Sequence, residues 1–108
     1  MFKLVTIYRR VDDENKVDTF FSQTHLPLAE QLPNLMRTEV SRVKGKPQGE
    51  SRFYLMYELY FVSQQSCLAA LQTETGQALM LALRPWVEAR LVSWFYAESF
   101  AEDVTSTG

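Results

Sequence analysis

The segment Phe53-Tyr54-Leu55-Met56-Tyr57-Glu58-Leu59-Tyr60-Phe61-Val62 constrains this chain more than any other. Its aromatic and aliphatic content and lack of breakers predict a strand. A strand with one wet face alternates apolar and polar residues. Here one face carries Phe53, Leu55, Tyr57, Leu59 and Phe61, and the other Tyr54, Met56, Glu58 and Tyr60. Only Glu58 is charged, so both faces call for a cover.

The rest of the chain supplies a cover for one face. Residues 2–9 read as a strand, and Arg10 to Glu14 as a polar turn with Asp12 or Asp13 as N-cap. A helix is expected from about Glu14 to His25, where Val17, Phe20, Phe21, Thr24 and Leu28 make a stripe at helical spacing. Pro27 disfavours the α conformation at Leu26, which predicts a break near His25–Leu26 and a second short helix from Pro27 to Leu32. Met36 to Lys44 reads as a strand, and residues 45–51 as a loop. Ser63 is expected to cap a helix through about Leu71. Thr73 to Gly76 interrupts it, Gln77 to Leu83 resumes it, and the final strand spans about Val87 to Ala97. No internal repeat is visible.

The order β-α-β-β-α-β is that of an α+β ferredoxin-like sandwich. Two helices can cover one face of its four-stranded sheet. In 108 residues nothing remains for the second face, and the simplest cover is another copy of the chain, which predicts a homodimer. Residues 1–98 are expected to form the single domain, and residues 99–108 a flexible tail.

Charge and cysteine usage narrow the function. A net charge of −2 gives no electrostatic case for nucleic acid or an anionic membrane. No apolar run approaches the ~20 residues of a membrane span, and the first eight residues are too short and too alternating for a signal peptide. A cytoplasmic protein with a reduced thiol is the expectation. The single cysteine, Cys67, and single histidine, His25, exclude a Cys-rich zinc site, so no metal is expected. Cys67 reads as a semi-buried inert thiol, although a Cys/His pair meeting in space stays open. Phosphate-binding glycine loops and nucleophile elbows are absent.

His25, at the expected helix end, is the candidate general acid/base; the plain alternative is a histidine that caps the helix. Glu58 is the second catalytic candidate, set against an ion pair with Arg37, Arg42 or Arg90. Aromatic residues make up 13% of the chain, and rings such as Tyr8, Tyr57 and Trp86 suit the lining of a cleft for a flat apolar ligand, as well as a core.

Residues 1–10, the segment Thr24-His25-Leu26-Pro27-Leu28-Ala29, then Leu32-Pro33-Asn34-Leu35, Glu39-Val40-Ser41-Arg42, Phe53-Tyr54-Leu55, Glu58-Leu59-Tyr60-Phe61 and Thr75-Gly76-Gln77-Ala78 together resemble the EthD family, named for ethyl tert-butyl ether degradation. The match runs in order over about residues 1–97, with His-x-Pro-Leu its most specific part; Val11 stands where the family often has proline. The resemblance implies a dimeric α+β barrel of two facing sheets with helices outside. It implies a role in small-molecule catabolism or tailoring, with some relatives acting as dehydratases, decarboxylases or isomerases on aromatic or polyketide-like compounds, and it maps the family histidine onto His25. The resulting expectation is a cofactor-independent enzyme acting on a hydrophobic cyclic or aromatic compound, with His25 and Glu58 catalytic and Tyr8, Tyr57 and Trp86 against the ligand. The alternatives are an accessory module that holds an apolar metabolite for a P450-type partner system, and a haem-binding protein.

Overall fold

Four antiparallel strands and a layer of helices on one face make up the computed structural model, which describes residues 1–104. The last four residues of the expected tail lie outside the described residues. The strands are β1 (Phe2–Arg9), β2 (Arg37–Arg42), β3 (Phe53–Phe61) and β4 (Val92–Glu98), in the sheet order β2-β3-β1-β4. This is the expected α+β ferredoxin-like fold: each helical segment leaves one strand and returns to a strand two places away, so β1 and β3 lie at the centre.

The helical layer comprises α1 (Glu14–Phe20), a π-helical turn (Phe21–His25), α2 (Leu26–Glu30), α3 (Gln64–Leu71) and α4 (Glu74–Glu88). Asp13 caps α1 by accepting from the Asn15 N–H. Ser63 caps α3 through the Ser66 N–H, and Thr73 caps α4 through the Gly76 N–H. Each oxygen satisfies a donor that the first helical turn leaves free.

Two expectations set by proline fail. The break at His25–Leu26 does not occur: Leu26 is helical, at φ −60° and ψ −49°. Its N–H reaches back five residues to the Phe21 carbonyl, and this widened turn carries the helix past the proline. The second helix does not end at Leu83 either. It runs through Pro85 to Glu88, so Trp86 stands on a helix and β4 begins only at Val92. Pro85 lacks only the N–H that would reach the Leu81 carbonyl, and Leu81 is exposed, where water can serve that carbonyl.

The register sorts the sheet into two faces. Phe2, Leu4, Thr6 and Tyr8 of β1 stand opposite Phe61, Leu59, Tyr57 and Leu55 of β3, and the apolar members of both rows join Val17, Phe21, Leu79 and Leu83 in the core under the helices. Lys3, Val5 and Ile7 stand opposite Tyr60, Glu58 and Met56 on the other face. None of the described residues covers that second face. Val5 is nonetheless only 2% exposed, shielded by its long neighbours, and Phe95 beside it is 47% exposed.

Candidate functional site

The π-helical turn places two rings over the centre of the sheet. Phe21 and His25, its first and last residues, are both buried, and His25 is 1% exposed. Below them lie Tyr8 of β1 and Tyr57 of β3, which occupy adjacent central strands and face the helices. The His25 ring meets the Tyr57 ring edge-on at 5.0 Å between centroids, and Phe21 meets Tyr57 at 4.9 Å. Trp86 of α4 closes the far side, its ring perpendicular to Tyr8 at 5.7 Å. Sequence positions 8, 25, 57 and 86 thus converge on one aromatic cluster.

Within that cluster Tyr8 Oη and His25 Nδ1 share a 2.5 Å hydrogen bond, the only one the ring makes among the described residues. Burial pushes the His25 imidazole down to about 3, so the ring is neutral at physiological pH. Burial also holds the Tyr8 phenol well above its usual 10, with the neighbouring Tyr57 adding to the shift, so Tyr8 stays protonated. A neutral imidazole beside a phenol has two arrangements. If Tyr8 donates to Nδ1, then Nε2 carries the proton and is an acid. If Nδ1–H donates to Tyr8, then Nε2 holds a free lone pair and is a base. The two differ in which ring nitrogen carries the proton as well as in the direction of the phenol O–H, and the second presents at Nε2 the lone pair that a base needs.

Tyr57 differs from Tyr8 in one respect. Its ring is fully buried and its hydroxyl oxygen has no hydrogen-bond partner. Burial raises this phenol to about 12; a long contact with the Thr38 hydroxyl, beyond ordinary hydrogen-bonding distance, opposes the rise and the Glu30 charge adds to it. Thr38 had no signal in the sequence beyond being a small polar residue in a weakly alternating strand.

Glu58 is not brought to His25. It alternates with Tyr57 along β3 and so points to the open face, where Lys3 Nζ lies 2.6 Å from its carboxylate. Of the expected arginine partners, Arg37 pairs with Glu39 at 3.0 Å and Arg42 with Asp18 at 3.3 Å, and Arg90 makes no salt bridge among the described residues. Arg37 also stacks on Tyr60 at 4.3 Å. Cys67 is buried, its thiol pushed up to about 11 by burial, and makes no bond to His25. Among the described residues no group of three or more His, Cys, Asp or Glu side chains is placed to hold a metal ion.

Trp86 faces outward as well as inward. With Lys16, Pro85, Ala89 and Leu91 it lines a surface hollow of about 230 Å³, and Phe20 stacks on it at 4.8 Å. Lys16 Nζ lies 5.9 Å from the centre of the Trp86 ring. His25 does not line this hollow.

No protein-family model matches the chain. Among solved structures, an EthD-family protein from Bacillus halodurans is 32% identical, with a TM-score of 0.85 over 93% of this chain and 99% of that one. SnoaB, a cofactor-independent oxygenase from Streptomyces nogalater, is 13% identical, with a TM-score of 0.62 over 95% of this chain and 94% of that one. A dimeric protein of unknown function and ferredoxin-like fold from Bacteroides fragilis is also 13% identical, at a TM-score of 0.57 over 91% of this chain and 95% of that one. These last two share the fold alone. An uncharacterized 11.0 kDa protein from the thcB-thcC intergenic region of Rhodococcus erythropolis is 25% identical over 77 residues, which is 71% of this chain and 75% of that protein.

Proposed function

This chain belongs to the EthD family, and from that premise we propose that it is a cofactor-independent enzyme that moves a proton on a hydrophobic cyclic or aromatic compound. His25 is the acid/base, Tyr8 is the positioning residue that fixes its tautomer, and Tyr57 and Trp86 contact the substrate. The observation that carries this reading is the 2.5 Å bond between Tyr8 and His25 inside the aromatic cluster. His25 is held among the rings of Tyr8, Phe21 and Tyr57 with Nε2 uncommitted. That a protein named as a cofactor-independent oxygenase shares the fold is consistent with a small-molecule tailoring role for this one.

Glu58 has a different part in this proposal. With Lys3 it lies on the open sheet face, beside Val5, Ile7, Met56 and Phe95, and that face packs against a second copy of the chain. The dimeric Bacteroides fragilis protein of the same fold is in keeping with such an assembly. His25 is 1% exposed among packed rings, so a substrate reaches Nε2 only as those rings part. The hollow at Trp86 favours one second reading, a module that holds an apolar metabolite without changing it.

A mass-spectrometric screen of bicyclic and polycyclic ketones and phenols tests the enzyme reading. Turnover should be lost in His25→Gln and reduced in Tyr8→Phe. A His25→Gln protein that turns substrate over at the wild-type rate overturns it, and ligand retention without product in the wild type establishes the second reading instead.

A further inference from the structure

We infer that the Tyr57 hydroxyl is an oxyanion donor, and that the substrate class is an enolisable cyclic ketone lying over β2. The inference rests on the reading of His25 as the base and adds the second half of the site. Tyr57 Oη is the single buried side-chain oxygen or nitrogen without a hydrogen-bond partner among the described residues. A buried hydroxyl left unpaired is costly and calls for an explanation, a catalytic role among them.

The surroundings say where that partner enters. Thr38 and Val40 of β2 stand opposite Leu59 and Tyr57 of β3, so they share the helix-facing side of the sheet. The helices stop short of them: Thr38 is exposed and Val40 is 45% exposed. β2 is the edge strand, so Val40 and Thr38 are the exposed residues beside Tyr57, one strand out from it. A flat hydrocarbon ring resting on Val40 can direct an oxygen substituent to Tyr57. The oxygen must be an acceptor, because the phenol stays protonated and brings a donor. The base sits against the same ring, with His25 and Tyr57 meeting edge to face at 5.0 Å.

A base and an oxygen-directed donor side by side suit proton abstraction next to a carbonyl. The C–H bond on the carbon beside the carbonyl breaks, and its proton passes to Nε2 of His25. The electron pair of that bond becomes the C=C bond of the enolate, and the carbonyl π pair moves to oxygen. Tyr57 O–H donates a hydrogen bond to that oxygen as its charge develops. Return of a proton from the imidazolium to carbon restores the ketone, so the step needs no oxidant or cofactor.

The test uses α-tetralone, a bicyclic enolisable ketone, in deuterium oxide, with exchange at the carbon beside the carbonyl read by mass spectrometry. Wild-type protein should accelerate exchange over buffer. Tyr57→Phe should lower kcat about 100-fold with KM nearly unchanged, since the donor acts on charge that develops in the transition state. In the absence of ketone, Tyr57→Phe should melt at or above the wild-type temperature, because it deletes an unpaired hydroxyl. Exchange at the wild-type rate in Tyr57→Phe overturns the oxyanion role, and so does a melting temperature several degrees below wild type. Wild-type protein that leaves α-tetralone unexchanged overturns the substrate class. His25→Gln separates the two readings: full exchange there refutes His25 as base, whereas lost exchange there with intact exchange in Tyr57→Phe refutes only the inference about Tyr57.

Discussion

His25 is the only histidine in the chain, and its burial ties folding to pH in a window that begins above the range of most carboxylates. The unfolded chain carries it at about 6.5, and the folded protein holds it down to about 3. Between these values the unfolded state binds a proton that the folded state refuses. The folded state therefore has its full stability above pH 6.5 and loses it as the pH falls toward 3. A single group of this kind gives a slope of about 1.4 kcal/mol per pH unit once the pH is well below the unfolded value. From about pH 6.5 to about 4.5, before most carboxylates protonate, the loss comes to about 2 kcal/mol. For a domain of this size that lowers Tm by on the order of 10 °C. Urea unfolding at pH 7.5, 6.5, 5.5 and 4.5, at one protomer concentration, measures it. His25→Gln keeps an amide able to bond Tyr8 but cannot titrate, so its stability should stay nearly flat over this window. Wild type and His25→Gln falling in parallel would show that the imidazole is not kept neutral, and would refute the burial argument.

Lys3→Met strands the Glu58 carboxylate, which is 6% exposed, and should cost about 2 kcal/mol, less than a fully buried pair because Lys3 keeps contact with water. The double variant Lys3→Met/Glu58→Gln should recover most of that loss in a chemical-denaturation cycle. Gly76→Ala would place a Cβ 2.4 Å from the Ala70 carbonyl oxygen and 2.5 Å from Leu71 Cα, so α4 must shift. A loss of roughly 1–3 kcal/mol in thermal unfolding is expected, and an unchanged Tm would contradict the close helix approach. Phe95→Glu puts a charge at the centre of the open face and should give a monomer by light scattering with the far-ultraviolet spectrum retained; an intact dimer would place the interface elsewhere.

The strands are the most legible part of the chain, because their signal is local and redundant. The two apolar rows of β3 separate into a helix-covered face and an open one, and Ser63 marks the start of α3 by the chemistry of its side chain. The two departures in the helices share a cause. At Pro27 and Pro85 the local conformational cost argues for a break, but packing of Phe21, His25 and Leu83 into one core outweighs it and the backbone adapts around each proline. His25, Tyr8 and Tyr57 each stand out as candidates, yet the bond between the first two joins residues 17 apart and depends on sheet register. The unpaired state of Tyr57 has no counterpart in sequence at all, since it is defined by what surrounds one oxygen atom. Lys3 is not legible as the partner of Glu58 because register along β1, and not charge type, chooses it.

The π-helical turn at Phe21–His25 makes the position of the imidazole a matter of counting. Such a turn holds one residue more than the α-helix on either side of it, as if a single codon had been inserted into a regular helix. Closing it into a regular α-helix without removing a residue would swing the remainder of the helix by about 100° around its axis. His25 would leave Tyr8, and Ala29, fully buried four residues on, would turn from the core. Length in this stretch is therefore as binding a constraint as composition. A relative whose helix runs regularly here cannot hold a histidine over the same tyrosine from the same ordinal place, and its proton-transfer group must be sought on another rung of the helix or on another strand.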